Sequence, residues 1–224
     1  MKRTLIVPTI IVIILIGLFF WKKPITASFD YAQELSEEGK YSESLEIIEK
    51  LLIENPENEL LLIERGVMKS CLNDEKEALY TFNKVLDKNP ANDTCRIRRV
   101  YSYNVLGDFE KAEADLKVLI ESKRQGKDTP MWTDDSGKEY DFHVSTIEIA
   151  YQYGIVRAAT GRFQEAYDDF STCINHQFEL ADSYYRREEI LIMLENTDDG
   201  CADVKKAIEL NHPYGQDLSN RFCP

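Results

Sequence analysis

Apolar and small side chains recur along most of this chain at the three- and four-residue intervals of a helix with one buried face. Ser44, Leu45, Ile48, Leu51 and Leu52 form one such stripe. Ala78, Leu79, Phe82, Val85 and Leu86 form a second, and Ala112, Leu116, Leu119 and Ile120 a third. The stripes are themselves periodic. Gly39-Lys-Tyr41, Asn73-Asp-Glu75 and Gly107-Asp-Phe109 recur at a spacing of 34, and three positions after each comes a small residue, Ser44, Ala78 or Ala112. Pro56 and Pro90 keep the same spacing, each closing a stripe in an Asn-Pro pair. Gly161-Arg-Phe163 with Ala166 restarts the pattern after a longer interval from Gly107, and Glu195 follows Gly161 by a further 34, with Gly200 at the small position. Each period predicts two helices. Their starts are marked by Asp74 before Glu77, by Asp108, and by Ser145 before Glu148. The turn between the paired helices uses Gly or Asn, where a positive φ costs little.

A period of 34 with glycine, an aromatic, alanine and proline at these offsets resembles the tetratricopeptide repeat (TPR) family. In that frame the repeats run 25–58, 59–92, 93–126, 147–180 and 181–214. The second carries Gly66, Ala78, Phe82 and Pro90; the fourth carries Gly154, Gly161, Phe163, Ala166 and Phe170. The first and fifth are degenerate, and the family's tryptophan is replaced by Leu62, Arg96, Ala150 and Tyr184. The resemblance implies an all-α solenoid of helix pairs whose concave face is lined by the first helix of each pair. The family's groove positions fall on Ile63 and Val67, on Ile97, Tyr101 and Asn104, on Tyr151 and Ile155, and on Tyr185 and Glu189. With Arg98 and Arg186 nearby, that surface reads as apolar and aromatic, with some of its residues packed against neighbouring helices. It suits an extended or helical peptide anchored by hydrophobic side chains. The subclass that grips a terminal carboxylate with Lys and Asn is not matched, since Phe29 and Gln33 stand at the corresponding places.

The segment 124–146 separates the repeats in 25–123 from those in 147–214. Met131 to Phe142 reads as a β-hairpin turning at Asp135-Ser136-Gly137. It is either a spacer whose Trp132, Tyr140 and Phe142 cover the core between repeats three and four, or a binding loop. In the tail, 215–224, Asp217 to Phe222 is expected to close the last hydrophobic face as a short helix. Cys201-Ala-Asp-Val-Lys-Lys-Ala207 with Cys223 near the end looks like the ending of many exported bacterial TPR-type proteins. A Cys201–Cys223 disulfide and an oxidising compartment are what this implies; two half-buried thiols are the alternative. Cys71, Cys95 and Cys173 are expected to be small buried residues.

The amino-terminal segment, 1–24, stands apart. Thr4 to Trp21 is an unbroken run without a charge. As a helix it spans about 27 Å, close to the hydrocarbon thickness of a bilayer. Trp21, Lys22 and Lys23 fall where interfacial anchors belong. The segment is expected to be a transmembrane anchor, and a signal peptide cleaved near Ile25-Thr26-Ala27 is the rival reading. The amino terminus, Lys2 and Arg3 outweigh Lys22 and Lys23, which Asp30 and Glu34 soon follow. The positive-inside rule then puts the repeats on the exported side.

Composition narrows the function. The chain has 27 Lys and Arg against 40 Asp and Glu, a net charge of −13. Lys2, Arg3, Lys22 and Lys23 all precede Pro24, and no acid does, so the rest of the chain is more acidic still. Such a surface does not bind nucleic acid or another polyanion. No Cys-x-x-Cys pair exists, His143, His176 and His212 stand apart from one another, and no nucleophile motif or phosphate-cradling loop is present. Asp134-Asp135, Asp168-Asp169 and Asp198-Asp199 are expected as solvated acids at turns and helix starts. No catalysis, metal or cofactor is expected. The chain reads as a membrane-tethered scaffold that holds a protein or peptide partner in its groove, with assembly of a cell-envelope complex as one setting. An exported receptor for a small ligand or glycan, built on 124–146, is the alternative.

Overall fold

A computed structural model describes residues 25–126, 132–133, 139–140 and 143–223. The expected anchor at 4–21 lies outside them. Among the described residues no helix is long and apolar enough to cross a membrane. The helices are α1 (Ile25–Glu37), α2 (Tyr41–Glu54), α3 (Glu59–Cys71), α4 (Glu75–Lys88), α5 (Asp93–Leu106) and α6 (Phe109–Arg124), then α7 (Thr146–Ala159), α8 (Phe163–Asn175), α9 (Leu180–Met193), α10 (Thr197–Glu209) and α11 (Gly215–Phe222). Each packs on the next, so α1/α2 through α9/α10 form five helix pairs in the expected register and α11 lies on α10.

Local chemistry sets the ends of the pairs. The side chains of Asn58, Asp74, Asn92 and Ser145 accept the backbone N–H groups of Leu61, Glu77, Cys95 and Glu148 at four helix starts. Asp108 makes no such cap; its carboxylate goes to Lys111 instead. Inside every pair the same turn recurs. The amides of Lys40, Asp74, Asp108, Arg162 and Asn196 reach back to the carbonyls of Leu35, Lys69, Tyr103, Arg157 and Leu191 at 2.8–2.9 Å. This is a Schellman closure with a left-handed residue before each donor. Gly39, Asn73, Gly107 and Gly161 fill that place in four pairs, but Glu195 fills it in the fifth at φ 61°.

The two helices of a pair meet at a fixed offset in sequence, and the side-chain sizes there compensate. Ala32 faces Ile48 and Val100 faces Leu116 within their clusters. Gly66 faces Phe82 so closely that a Cβ would lie 2.4 Å from the ring, and a Cβ on Gly154 would lie 2.9 Å from the Phe170 ring. A second coupling at the same offset is polar. Arg65 donates to Thr81 at 2.6 Å, Arg99 to Asp115 at 2.8 Å and Arg187 to Asp203 at 2.7 Å. In the fourth pair Arg157 reaches Asp169 at 2.6 Å. Asp168 and Asp169 thus lie inside α8 rather than at its start, and burial pushes the Asp169 carboxyl up to about 6 despite Arg157.

The insertion does not break the core. Leu116 and Leu119 of α6 share one cluster with Val144, Ile149 and Val156 across it. Two short strands, β1 (Trp132–Thr133) and β2 (Glu139–Tyr140), pair antiparallel with Trp132 opposite Tyr140. The expected turn at 135–137, and Phe142, lie outside the described residues. At the other end a Cys201–Cys223 disulfide, with Cα atoms 5.4 Å apart, ties the end of α11 to α10. Cys95 and Cys173 are buried as expected. Cys71 is exposed, because it closes α3 where the chain turns toward α4.

Candidate functional site on the inner face

The first helices of the pairs touch one another as well as their own partners: α3 meets α5, and α5 meets α7. This second layer of contact decides which side chains are free. Ile63 and Ile97 are 5% and 1% exposed, and Tyr151 is 7% exposed with its ring edge-on to Phe170 and Phe178. These three of the expected groove residues therefore build the wall rather than line its open side. Val67, Tyr101, Asn104, Ile155 and Tyr185 remain partly exposed, and Glu189 is exposed.

Beside the apolar contacts of Ile97 and Val100 with Ile149 and Val156, polar groups also join these helices. Arg98 lies 3.6 Å from the Glu148 carboxylate, to which the Tyr101 hydroxyl also donates at 3.4 Å. One repeat later the Tyr151 hydroxyl reaches Asp182 across the next gap, and Arg186 joins Asp182 from four residues along the same helix. His212 Nε2 lies 3.3 Å from the other Asp182 oxygen, and its ring stacks on Tyr185 at 4.2 Å between centroids. Asn104 donates to Gln152 at 2.7 Å. The arginines expected near this face are engaged by its acids, and charge stands on it beside the partly exposed Val67, Tyr101, Ile155 and Tyr185.

The charges on this row are uneven. Burial pushes the Glu64 carboxyl up, and Arg98 offsets this only in part. Glu148 is also raised by burial, against the pull of Arg98 and Tyr101, with Glu179 adding to the rise. Glu189 is raised by desolvation and by nearby Asp182, against Arg186 and His212. Asp182 differs. Burial works to raise it, but Arg186, Tyr151 and His212 together hold it below the ordinary range. Burial raises the Tyr101 and Tyr151 phenols as well, so both stay protonated donors at neutral pH. Among the described residues no group of three His, Cys, Asp or Glu side chains converges as a metal site would require.

Reasoning from the sequence missed Glu64, Glu148, Asp182 and His212 as members of this row. The period of 34 carries a signal for three of them. Glu64 and Arg98 stand one period apart, as do Gln152 and Arg186, and as do Glu148 and Asp182. Two columns of polar residues on the first helices are therefore written in the repeat itself.

The paired helices, their Schellman turns and the inner row define a tetratricopeptide-repeat fold. No family model and no curated protein sequence matches the chain. Solved structures do. A tetratricopeptide repeat protein from Parabacteroides merdae superposes with a TM-score of 0.62 at 18% identity, over 84% of this chain and 66% of that one. PilW, described as a widely conserved type IV pilus biogenesis factor, gives 0.64 at 16% identity, over 83% and 77%. TTC0263, a thermophilic TPR protein of Thermus thermophilus, gives 0.61 at 17% identity, over 89% and 97%. These likenesses show the fold.

Proposed function

We propose that this chain is a non-enzymatic scaffold that holds a segment of a partner protein against its inner face. The observation that carries the reading is the continuous row on the first helices. Tyr101, Asn104 and Tyr185 stay accessible there while Ile63, Ile97 and Tyr151 behind them are locked in the core. A rigid wall with half-exposed aromatic and amide side chains is how repeat solenoids present a binding surface. The apolar run at 4–21 is read as a membrane tether, with the repeats on the exported side; the Cys201–Cys223 disulfide supports an oxidising compartment. The fold shared with PilW supports work on an assembly at the cell envelope.

The test is a cross-linked pull-down from membranes with the wild type beside a Tyr101→Ala, Tyr185→Ala variant. Tyr151 is left intact because its truncation would open the core. A partner captured by the wild type and lost from the folded variant is the expected result. Undiminished capture by the variant removes the inner face as the site.

A further inference from the structure

A lone exposed apolar side chain is ordinary on a protein surface and asks for no ligand. Ile53 differs in its place. It is the most exposed large apolar side chain among the described residues, at 81%. One period on, the same position of the second helix holds Asp87, and the later repeats hold Glu121, Asn175 and Glu209, all of them exposed. An isoleucine thus stands in a column that is otherwise polar, and it does so in repeat one alone. The turn that follows keeps its pattern, with Asn55-Pro56 matched by Asn89-Pro90.

The register of the pairs sets where that column sits. In repeat two, Asn89 at the end of α4 donates to Glu59 at the start of α3 at 2.9 Å. The same register sets Asn55, at the end of α2, beside Ile25, where α1 begins. The Ser44 hydroxyl donates to the Ala32 carbonyl at 2.7 Å and holds the two helices there. Ile53 lies one residue inside the end of α2, so it is exposed at the edge where the chain enters repeat one. Only Lys22, Lys23 and Pro24 separate Trp21, the last residue of the apolar run, from Ile25. On the reading that 4–21 is a membrane tether, on which this inference rests, those steps hold that edge within about 14 Å of the bilayer. Glu54 and Glu57 flank Ile53, and Lys84 and Lys88 engage Glu57, so charge does not draw the edge to anionic lipid. Burying one isoleucine is worth at most about 1.5–3 kcal/mol. That is too little to bind a separate vesicle, since even a myristoyl chain binds only marginally. A short tether raises the effective concentration of the surface to about the millimolar range, and the same side chain then suffices.

We propose that repeat one rests on the membrane–water interface, with Ile53 inserted among zwitterionic lipid headgroups. Asp87, Glu121, Asn175 and Glu209 stay in water. This second point of contact beside the tether sets which edge of the solenoid faces the bilayer.

The test uses the full chain in phosphatidylcholine vesicles, with Trp21→Phe and Trp132→Phe to remove the native tryptophans. A single tryptophan is then placed by Ile53→Trp in one variant and by Asp87→Trp in another. Vesicles whose acyl chains carry bromine should quench the probe at position 53 about twofold and leave the one at 87 almost unchanged. The same probe stands in the same column of both, so the interfacial preference of tryptophan itself cancels. Equal quenching at the two positions, or none at 53, overturns the proposal. The native side chain is tested by amide exchange of residues 55–58 in vesicles. Ile53→Asp, which installs the residue type of repeat two at an exposed site, should speed that exchange about threefold. An unchanged rate also overturns the proposal. Carbonate extraction separates this contact from the tether. A chain that stays in the vesicles without quenching at 53 keeps the tether and loses the contact, whereas a chain that is extracted loses both.

Discussion

Repeats four and five are built on one plan and fill one shared contact between their helices differently. In repeat four Gly154 lets the Phe170 ring lie against the α7 backbone, with a hypothetical Cβ only 2.9 Å from the ring. In repeat five the equivalent residue, one period on, is Glu188, and the facing residue is Val204. Glu188 is 0% exposed, and neither of its carboxylate oxygens has a hydrogen-bond partner. The same slot thus holds a large ring over a glycine in one repeat and a long side chain over a small one in the next. Volume is conserved while polarity is not. A repeat fold constrains the space between its helices more tightly than the chemistry that fills it, and burying an unpaired acid is a cost that repeat four does not carry at this contact.

Truncating the ring should have the largest effect. Phe170→Ala removes a buried aromatic from repeat four and is expected to cost about 3–5 kcal/mol. Val204→Ala at the matching place in repeat five should cost clearly less, and urea denaturation of the two variants compares them. Next comes the cross-link that repeat five has and repeat four lacks. Replacing Cys201 and Cys223 by Ser should cost about 3 kcal/mol, from the loop entropy regained over a sequence separation of 22. Loss of protection in α10 and α11 by hydrogen exchange, with α7 and α8 unaffected, would show that the weakening is local.

The buried acid comes third. Burial, and then Glu189 and Asp203, push the Glu188 carboxyl up from 4.5 to about 7. Its folded form therefore holds a proton that the unfolded chain has released between those values. Folded stability should be greatest below about 4.5 and fall as pH rises toward about 7, by on the order of 1–3 kcal/mol. Glu188→Gln should flatten that part of the urea-midpoint profile and be the more stable protein at pH 8. An unchanged slope would mean that Glu188 does not titrate in this window. The smallest effect is expected at the turn of the same repeat. Glu195 occupies a left-handed site that Gly39, Gly107 and Gly161 fill elsewhere, so Glu195→Gly should gain about 1 kcal/mol, readable as a rise in melting temperature.

Periodicity made the fold legible, because every repeat must bury the same stripe against the next. The spacing of Gly39, Asn73, Gly107, Gly161 and Glu195 located all five turns, and Ala78 and Ala166 marked the stripes. The groove was less legible. Ile63, Ile97 and Tyr151 are apolar or aromatic at groove positions, yet packing against second helices and neighbouring first helices together buries them, and a one-dimensional pattern does not report such contacts. The polar row was readable only by aligning repeats on residues such as Glu148 and Asp182, which look like ordinary solvated acids one at a time. Arginine clasps such as Arg99 to Asp115 were equally hidden, since couplings of this kind appear only once two helices are known to pair.

The central claim is that partners dock on the inner row and not on the outer helices. Its most direct test places a photoactivatable phenylalanine analogue at Tyr101, on the row, and separately at Tyr80 of α4, which is 65% exposed and lies on a second helix. Irradiation in membranes should yield a defined adduct from position 101 and none from position 80. An adduct from position 80 alone would contradict the account.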